Sequence, residues 1–251
     1  MICSSPLQLK PKGVDGKRYV DVKAMTVPCG QCRACRINKG REWPVRIKDE
    51  EKKHSRNAWI CLTYRDDDLP LYGSLDKTHT QLYLKKLRKR VGSFRFFEVG
   101  EYGERFGRPH YHLILFGVDS NNPAIKECWR YGDRVDSQDV HAGCGLYAAL
   151  YSLKKLTGKA SIEYTERGLL SPYLKMSRRP GIGLDKDDIK SYDNYARLGY
   201  ARVNGKKTAI PRYYKLRDER LQSNDEFVTP ADFSGLQQEK NLKTKMLGSK
   251  R

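Results

Sequence analysis

The chain has 251 residues, of which 38% are hydrophobic and 31% are charged, a composition that supports a folded core in one large domain or two small ones. It carries 49 basic and 30 acidic side chains, and the resulting net charge of +19 favours a polyanionic partner, most often nucleic acid. No apolar window approaches the roughly 20 residues of a membrane span, and the N-terminal MICSSPLQLKPKG lacks a secretory signal pattern. These features predict a soluble, intracellular protein with no membrane partner.

Residues 1–57 are predicted to form a cysteine-containing segment that packs on the rest of the chain. Short β-like pieces flank the turn-rich KPKGVDGKR, and three of the seven cysteines follow in PCGQCRAC. Such clustering is unlike a secreted disulfide framework and indicates a reducing compartment. A helix is expected from about Ala34 to Lys53, bent or interrupted at Gly40 and Pro44.

Cys29, Cys32 and Cys35 form a C-x-x-C-x-x-C motif whose tight spacing suits a structural Zn²⁺. Tetrahedral zinc needs a fourth ligand, and Cys3 is the candidate because the β-like pieces can fold the N-terminus back. The alternatives are ordinary buried thiols and an iron–sulfur cluster, although the C-P signature of bacterial ferredoxins is missing.

Residues 58–220 are predicted to form an α+β domain on an antiparallel sheet, because strand-like and helix-like segments alternate with hairpin-like neighbours. AWICLTY (58–64) is typical of a buried strand, and SLDKTHTQLYLKKLRKRVG (74–92) of a helix that ends at Gly92. SFRFFEVGEYG and HYHLILFG are expected to pair as antiparallel strands through the turn ERFGRP.

The remaining elements are expected to be shorter, with one exception. PAIKECWRYG predicts a short helix and DRVDSQDVH a strand, whereas residues 145–157 have the strongest helical pattern, closed by Gly158. The text beyond is basic and loop-rich, and residues 221–251 form a polar tail that is predicted to be flexible.

His110 and His112 lie two positions apart in a predicted strand, so their side chains leave the same face, about 6.6 Å apart. Two imidazoles beside a carboxylate can bind Mn²⁺ or Mg²⁺ together with a phosphate oxygen, with Zn²⁺ less favoured. Among Glu98, Glu101 and Glu104, we expect Glu101 to be the third ligand because it lies near the turn and His110. The alternative is a half-buried histidine pair satisfied by hydrogen bonds.

Tyr147, Tyr151 and Lys154 recur at i, i+4 and i+7 and therefore form one stripe of the predicted helix. A tyrosine phenolate can attack phosphorus and hold the cut end covalently, while a lysine can stabilise the developing negative charge. Two tyrosines one turn apart can act alternately. The alternative is an amphipathic helix whose tyrosines border the core.

Basic residues near the C-terminus are expected to contact DNA phosphates, which gives affinity and salt dependence but not sequence readout. The candidates are Arg178, Arg179, Lys206, Lys207 and Arg212. The basic stretch YLKKLRKRVG is more simply a solvated helix face.

WICLTY, GRPHYHLILFG and YAALYSLKK resemble, in this order, the three motifs of HUH endonucleases of the rolling-circle replication initiator type. Together with PCGQCRACRINKGREW, GEYGERFGRPHYH and MSRRPGIG, they make the chain similar to the replication initiators of microviruses, particularly the gokushovirus branch, from about Cys3 to Tyr214. YSLKK departs from the β-branched residues of that helix in the family, and the acidic metal ligand varies between branches.

The resemblance implies an HUH nuclease domain with an RRM-like or ferredoxin-like antiparallel sheet flanked by helices. It also implies that His110 and His112 bind a divalent cation and that Tyr147 or Tyr151 attacks a single-stranded DNA origin. The products would be a 5′-phosphotyrosine link and a free 3′-hydroxyl for a host polymerase, in the cytoplasm of a bacterial host. A host helicase is expected because the sequence has no G-x-x-x-x-G-K-[ST] loop.

Two other functions remain open from the sequence. A relaxase or single-strand transposase would use the same chemistry, whereas a non-enzymatic, zinc-stabilised DNA-binding protein would use the histidines and tyrosines only structurally.

Overall fold

A central antiparallel sheet organises the structure, a computed structural model that describes residues 3–9, 25–141, 144 and 161–221. The strands are β1 (Leu7–Leu9), β2 (Met25–Val27), β3 (Asn57–Thr63), β4 (Arg95–Tyr102), β5 (Pro109–Phe116), β6 (Val135–Asp139), β7 (Tyr173–Met176), β8 (Ala201–Val203) and β9 (Lys206–Thr208). The helices are α1 (Arg33–Glu51), α2 (Lys77–Val91), α3 (Ala124–Glu127), α4 (Ile162–Glu166), α5 (Ile189–Leu198) and α6 (Arg212–Lys215). The predicted helix at 145–157 and almost all of the predicted tail lie outside the described residues.

Five strands form the main sheet in the order β6-β3-β5-β4-β7, and each strand is antiparallel to its neighbours. The succession β3-α2-β4-β5-α3-β6 follows the β-α-β-β-α-β order of ferredoxin-like folds. The prediction of an α+β domain on an antiparallel sheet is therefore confirmed. None of the described helices combines the length and the apolar composition that a bilayer span requires.

The strands and helices of the nuclease-like region follow the local sequence signals closely. Asp76 caps α2 by accepting a hydrogen bond from the Thr78 amide at 2.6 Å, and Gly92 ends the helix with a positive φ of 88°. β4 and β5 pair through a tight turn, as predicted, with Glu101 opposite His110.

The two faces of the sheet are covered by different helices. On one face, Tyr111, Leu113 and Leu115 of β5 pack with α2, whose Tyr83, Leu84 and Leu87 are buried. On the other face, Ile114 and Phe116 share a cluster with Trp43 and Ile47 of α1. Because strand side chains alternate, the second face is also the one that carries His110 and His112.

α1 differs from its prediction, because the helix continues from Arg33 to Glu51 through Gly40 and Pro44. A proline inside a helix removes one hydrogen bond and crowds the carbonyl four residues earlier, at a cost of about 3 kcal/mol. Here that carbonyl belongs to Gly40, and Trp43, Val45 and Ile47 are buried around the proline. Burial of these side chains offsets the local cost, so the predicted interruption is wrong.

The region after residue 160 contains more regular structure than its loop-rich sequence suggests. β7 adds an edge strand to the sheet by pairing with β4, and the β8–β9 hairpin turns at Asn204 and Gly205, both with positive φ. Tyr192, Tyr195 and Tyr214 from α5 and α6 are buried with Val45 of α1.

Buried carboxylates of α1 connect this helix to the C-terminal elements. The Asp49 carboxylate accepts hydrogen bonds from the hydroxyls of Tyr195 (2.7 Å) and Tyr214 (3.1 Å). Glu50 accepts one from the Gly183 amide at 2.8 Å. The α1 helix thus packs on the sheet and on the C-terminal elements together, and the division at residues 57 and 220 stays a prediction.

We predict that Tyr195→Phe lowers the free energy of unfolding by about 1–3 kcal/mol, because it removes a donor from a buried, charged acceptor. Asp49 is only 4% exposed, so water cannot easily replace the lost hydroxyl. Urea unfolding followed by circular dichroism measures the change. Tyr72→Phe, at a ring that is 74% exposed, is the matched control and should leave stability unchanged. Equal stability of the two variants would contradict the role given to Asp49.

Candidate active site

His110 and His112 project from the same face of β5, towards Glu101 on the neighbouring strand β4. The Nε2 atom of His110 lies 2.9 Å from Oε1 of Glu101, and the Nε2 atom of His112 lies 3.4 Å from the same oxygen. One atom from each residue lies within 4.8 Å of the others. The three side chains that the sequence singled out therefore share one point on the sheet.

The turn before β5 orients the His110 ring. Its Nδ1–H donates to the backbone carbonyl of Arg108 at 3.1 Å, which fixes the proton on Nδ1 because a carbonyl can only accept. The Nε2 atom is thereby directed towards Glu101, in the arrangement that metal-binding histidines commonly adopt.

The His112 ring is held by an aromatic neighbour from β3. It stacks on the Trp59 indole, with ring centroids 5.2 Å apart and an interplanar angle of 27°. Its side chain is 10% exposed, compared with 18% for His110. The site is thus restricted but still reachable from solvent at the His110 end.

The Glu101 carboxylate is held in its charged form by the two histidines. Burial on its own would raise its pKa, but the hydrogen bonds and positive charge of His110 and His112 outweigh burial and bring the pKa well below its usual range. A carboxylate and two imidazoles directed at one point form a donor set that fits a divalent cation with open positions for other ligands.

Glu98 and Glu104 occupy different surroundings. Glu98 is fully buried on the opposite face, where its Oε1 accepts hydrogen bonds from the hydroxyls of Thr80 and Tyr173, both at 2.8 Å. Burial raises its pKa, while nearby Lys175 counteracts this. Glu104 is exposed in the turn. The structure therefore brings only Glu101, of the three glutamates considered, to the histidines.

Sequence reasoning missed three neighbours of the histidines. Trp59 and Cys61 lie on the histidine face of β3, and Asp136 of β6 lies opposite Cys61, which itself lies opposite His112. Burial raises the pKa of the Cys61 thiol to about 12, so it stays protonated near neutral pH. The alternation of WICLT shows that Trp59 and Cys61 share a face, but only the strand order shows which face this is.

Tyr147, Tyr151 and Lys154 lie outside the described residues, so their position relative to the histidines is untested. The nearest described residue before them is Cys144, which is 2% exposed. It packs in the cluster of Ile114, Phe116 and Trp43, on the histidine face of the sheet.

The four cysteines form a second group of candidate ligands. Pairing of β1 with β2 brings Cys3 next to the C-x-x-C-x-x-C motif, and all four sulfurs lie within 4.8 Å of one another. The Cys29–Cys35 and Cys3–Cys32 sulfur pairs are 4.0 and 3.8 Å apart. A tetrahedral zinc site with Zn–S bonds of about 2.3 Å requires sulfurs about 3.8 Å apart, so the spacing fits.

Backbone amides at the start of α1 favour the thiolate forms of two cysteines. The Cys35 amide, followed by contacts with Ser4, lowers the pKa of Cys32 to about 5, and the amides of Cys32 and Gln31 lower that of Cys29. Burial raises the pKa of Cys35 to about 12, so a bound cation would be needed to ionise this thiol at neutral pH.

The predicted phosphate-binding residues are all at the surface. Arg178 and Arg179 follow β7, Lys206 and Lys207 lie in β9, and Arg212 begins α6; all five side chains are exposed. The Lys207 ammonium lies 4.4 Å from the centre of the Tyr200 ring. Their role in DNA binding stays a prediction.

Comparison with known proteins indicates a family. Residues 57–156 match a family described as Replication-associated protein ORF2. The chain is 28% identical to Replication-associated protein ORF4 of Chlamydia phage 1, over 86% of this chain and 59% of that protein. It is 29% identical to Replication-associated protein ORF2 of Spiroplasma virus 4, over 90% and 83% of the respective chains.

A third similar protein is Replication-associated protein VP4 of Bdellovibrio phage phiMH2K, 24% identical over 78% of this chain and 68% of that protein. The chain thus spans less than two thirds of the Chlamydia phage protein. No solved structure matches it significantly. The matches confirm the resemblance that the motifs indicate: this chain is related to the replication-associated proteins of phages, of the microvirus replication initiator type.

Proposed function

We propose that this protein initiates rolling-circle replication by nicking a single-stranded DNA origin through metal-assisted attack by a tyrosine. The observation that carries the proposal is the convergence of Glu101, His110 and His112, whose ligand atoms lie within 4.8 Å on one face of the sheet. Mn²⁺ or Mg²⁺ is the cation that this mixed nitrogen and oxygen donor set and a phosphate substrate favour. A bound cation would polarise the scissile phosphate as a Lewis acid.

The proposed nucleophile is the phenolate of Tyr147 or Tyr151. Its oxygen forms a bond to phosphorus while the bond from phosphorus to the 3′-oxygen breaks, and that oxygen takes up a proton to become a free 3′-hydroxyl. The 5′-phosphate stays on the tyrosine. Lys154 would stabilise the charge that develops on phosphorus or the phenolate.

The second tyrosine would complete the cycle. After one round of synthesis it would cut the regenerated origin, and the 3′-hydroxyl released in that cut would attack the first phosphotyrosine. That attack forms the phosphodiester bond of the closed circle and returns the first tyrosine as a free phenol. No external energy source is needed, because each phosphoryl bond broken is replaced by another.

Two observations support a role for the tyrosine segment beside the histidines. Cys144, three residues before Tyr147, packs on the histidine face of the sheet. The match to the replication-associated family also runs from residue 57 to 156, and therefore includes both tyrosines and Lys154. A helix that continues from Cys144 would begin on the correct face for attack at the proposed metal site.

DNA binding is proposed to depend on the net charge of +19 and on the exposed cations at 178, 179, 206, 207 and 212. Unwinding and synthesis would be supplied by a helicase and a DNA polymerase of the bacterial host, in whose cytoplasm the protein would act. Cys3, Cys29, Cys32 and Cys35 would hold a structural Zn²⁺ that fixes the N-terminal strands to the start of α1.

The function is tested by covalent capture of DNA. Single-stranded oligonucleotides that tile the genome encoding this chain are incubated with the protein and Mn²⁺, and denaturing electrophoresis detects adducts. We expect one region of sequence to give an adduct that requires the cation. Binding without any adduct would indicate a non-enzymatic DNA-binding protein instead.

Tyrosine variants identify the nucleophiles. We predict that Tyr147→Phe and Tyr151→Phe each retain DNA binding and adduct formation but lose the complete cleave-and-join cycle, whereas the double variant forms no adduct. Tyr200→Phe, at a tyrosine outside the proposed site, is the matched control. An adduct of normal yield in the double variant would remove these residues from the mechanism.

Metal binding can be measured without DNA. We predict that Glu101→Gln and His110→Ala each weaken Mn²⁺ binding, followed by electron paramagnetic resonance, by more than about 10-fold, because each removes a ligand directly. Glu104→Gln makes the same charge change at an exposed position in the adjoining turn and should leave the affinity unchanged. Equal losses in both glutamine variants would indicate a general charge effect.

Zinc content tests the cysteine cluster. We predict one zinc per chain in the purified protein and loss of that zinc in Cys32→Ser, measured by elemental analysis. Cys128→Ser, at a buried thiol away from the cluster, should retain the metal. Iron and a visible charge-transfer absorption in place of zinc would indicate an iron–sulfur cluster.

A further inference from the structure

The turn between β4 and β5 presents an aromatic ring to solvent next to the proposed metal site. Phe106 is 73% exposed, although a phenyl ring gains free energy from burial. Scattered exposed apolar residues are common, so exposure alone assigns no role. The support for a role comes from the backbone that holds this ring and from the charge beside it.

The backbone of the turn is tied to the His110 ring. The Gly103 amide donates to the Arg108 carbonyl and the Gly107 amide to the Gly103 carbonyl, both at 2.9 Å. The Arg108 carbonyl also accepts the hydrogen bond from His110 Nδ1 at 3.1 Å. A Cβ atom built on Gly103 would lie 3.9 Å from Cε1 of His110, so the turn lies directly against the imidazole.

Charge around Phe106 suits a polyanion. The Arg105 guanidinium lies 4.8 Å from the centre of the Phe106 ring, in the geometry of a cation–π contact. Arg108 is anchored by the Tyr64 carbonyl at 3.0 Å and by the Asp66 carboxylate at 2.5 Å. An exposed aromatic ring beside arginine is the combination with which proteins bind unpaired bases, because every base has a face that can stack.

We infer that Phe106 is a stacking site for a nucleobase of the single-stranded substrate, one that adjoins the scissile phosphate; this inference rests on the proposed function. His110, opposite Glu101, is four residues from Phe106, and each residue of extended chain spans about 3.3 Å. The ring therefore lies within about 13 Å of the ligand set, on a hairpin whose backbone also orients His110. Stacking there would hold the strand in place without reading its sequence.

The test separates base contacts from phosphate contacts. Fluorescence anisotropy in EDTA compares binding of a 20-nucleotide oligothymidylate with binding of an abasic deoxyribose phosphate strand of the same length. We expect Phe106→Ala to weaken oligothymidylate binding about 10-fold and to leave abasic-strand binding unchanged, since one base stack accounts for a change of this order. Phe106→Trp should keep the preference for bases. Ile189→Ala, at a side chain that is 62% exposed in α5, is the control and should change neither affinity.

Each outcome decides between the two proposals. If Phe106→Ala retains the preference for oligothymidylate, or if the unaltered protein has no such preference, the stacking site is refuted whatever the adduct assay shows. If Phe106→Ala removes the preference but no oligonucleotide forms an adduct, stacking stands and the nicking function fails. Equal weakening on both strands would show that the variant acts on phosphate binding or folding, which also refutes the stacking site.

Discussion

The pairing register of β4 with β5 is the constraint on which the candidate site depends. It places Glu101 opposite His110, while the two-residue period of the strand puts His112 on the same face. A slip by one residue would move Glu101 to the opposite face and leave two buried imidazoles without a carboxylate. The short turn, with its internal hydrogen bonds and the positive φ of Gly107, prevents this slip.

The same register separates two glutamates that are only three positions apart. Glu101 faces the histidines and stays charged, whereas Glu98 faces the core under α2 and relies on two hydroxyl donors and Lys175. α1 covers the apolar part of the histidine face with Trp43 and Ile47. Its buried Asp49 and Glu50 bind the C-terminal elements, so one helix supports the sheet and the cysteine cluster begins at its N-terminus.

Much of the fold follows from local patterns, and the rest does not for identifiable reasons. Alternation in β3 to β5 and the capping residues of α2 predicted those elements to within about three residues. β7, β8 and β9 are short and polar, and their stability comes from pairing partners distant in sequence, so no local signal identified them. The same applies to α1, where tertiary packing overrides Pro44. At the site, spacing was enough to predict His110, His112 and Glu101 as neighbours, and Cys3 beside the other cysteines. Trp59 and Asp136 required the strand order.

The central claim is that both imidazoles bind one divalent cation. Electron spin-echo envelope modulation of the Mn²⁺-loaded protein tests this most directly, because nitrogen nuclei bound to the ion modulate the echo. The account predicts modulation from two directly bound imidazole nitrogens, reduced to one when His112 is replaced by alanine. A spectrum free of bound nitrogen in the fully loaded protein would contradict it.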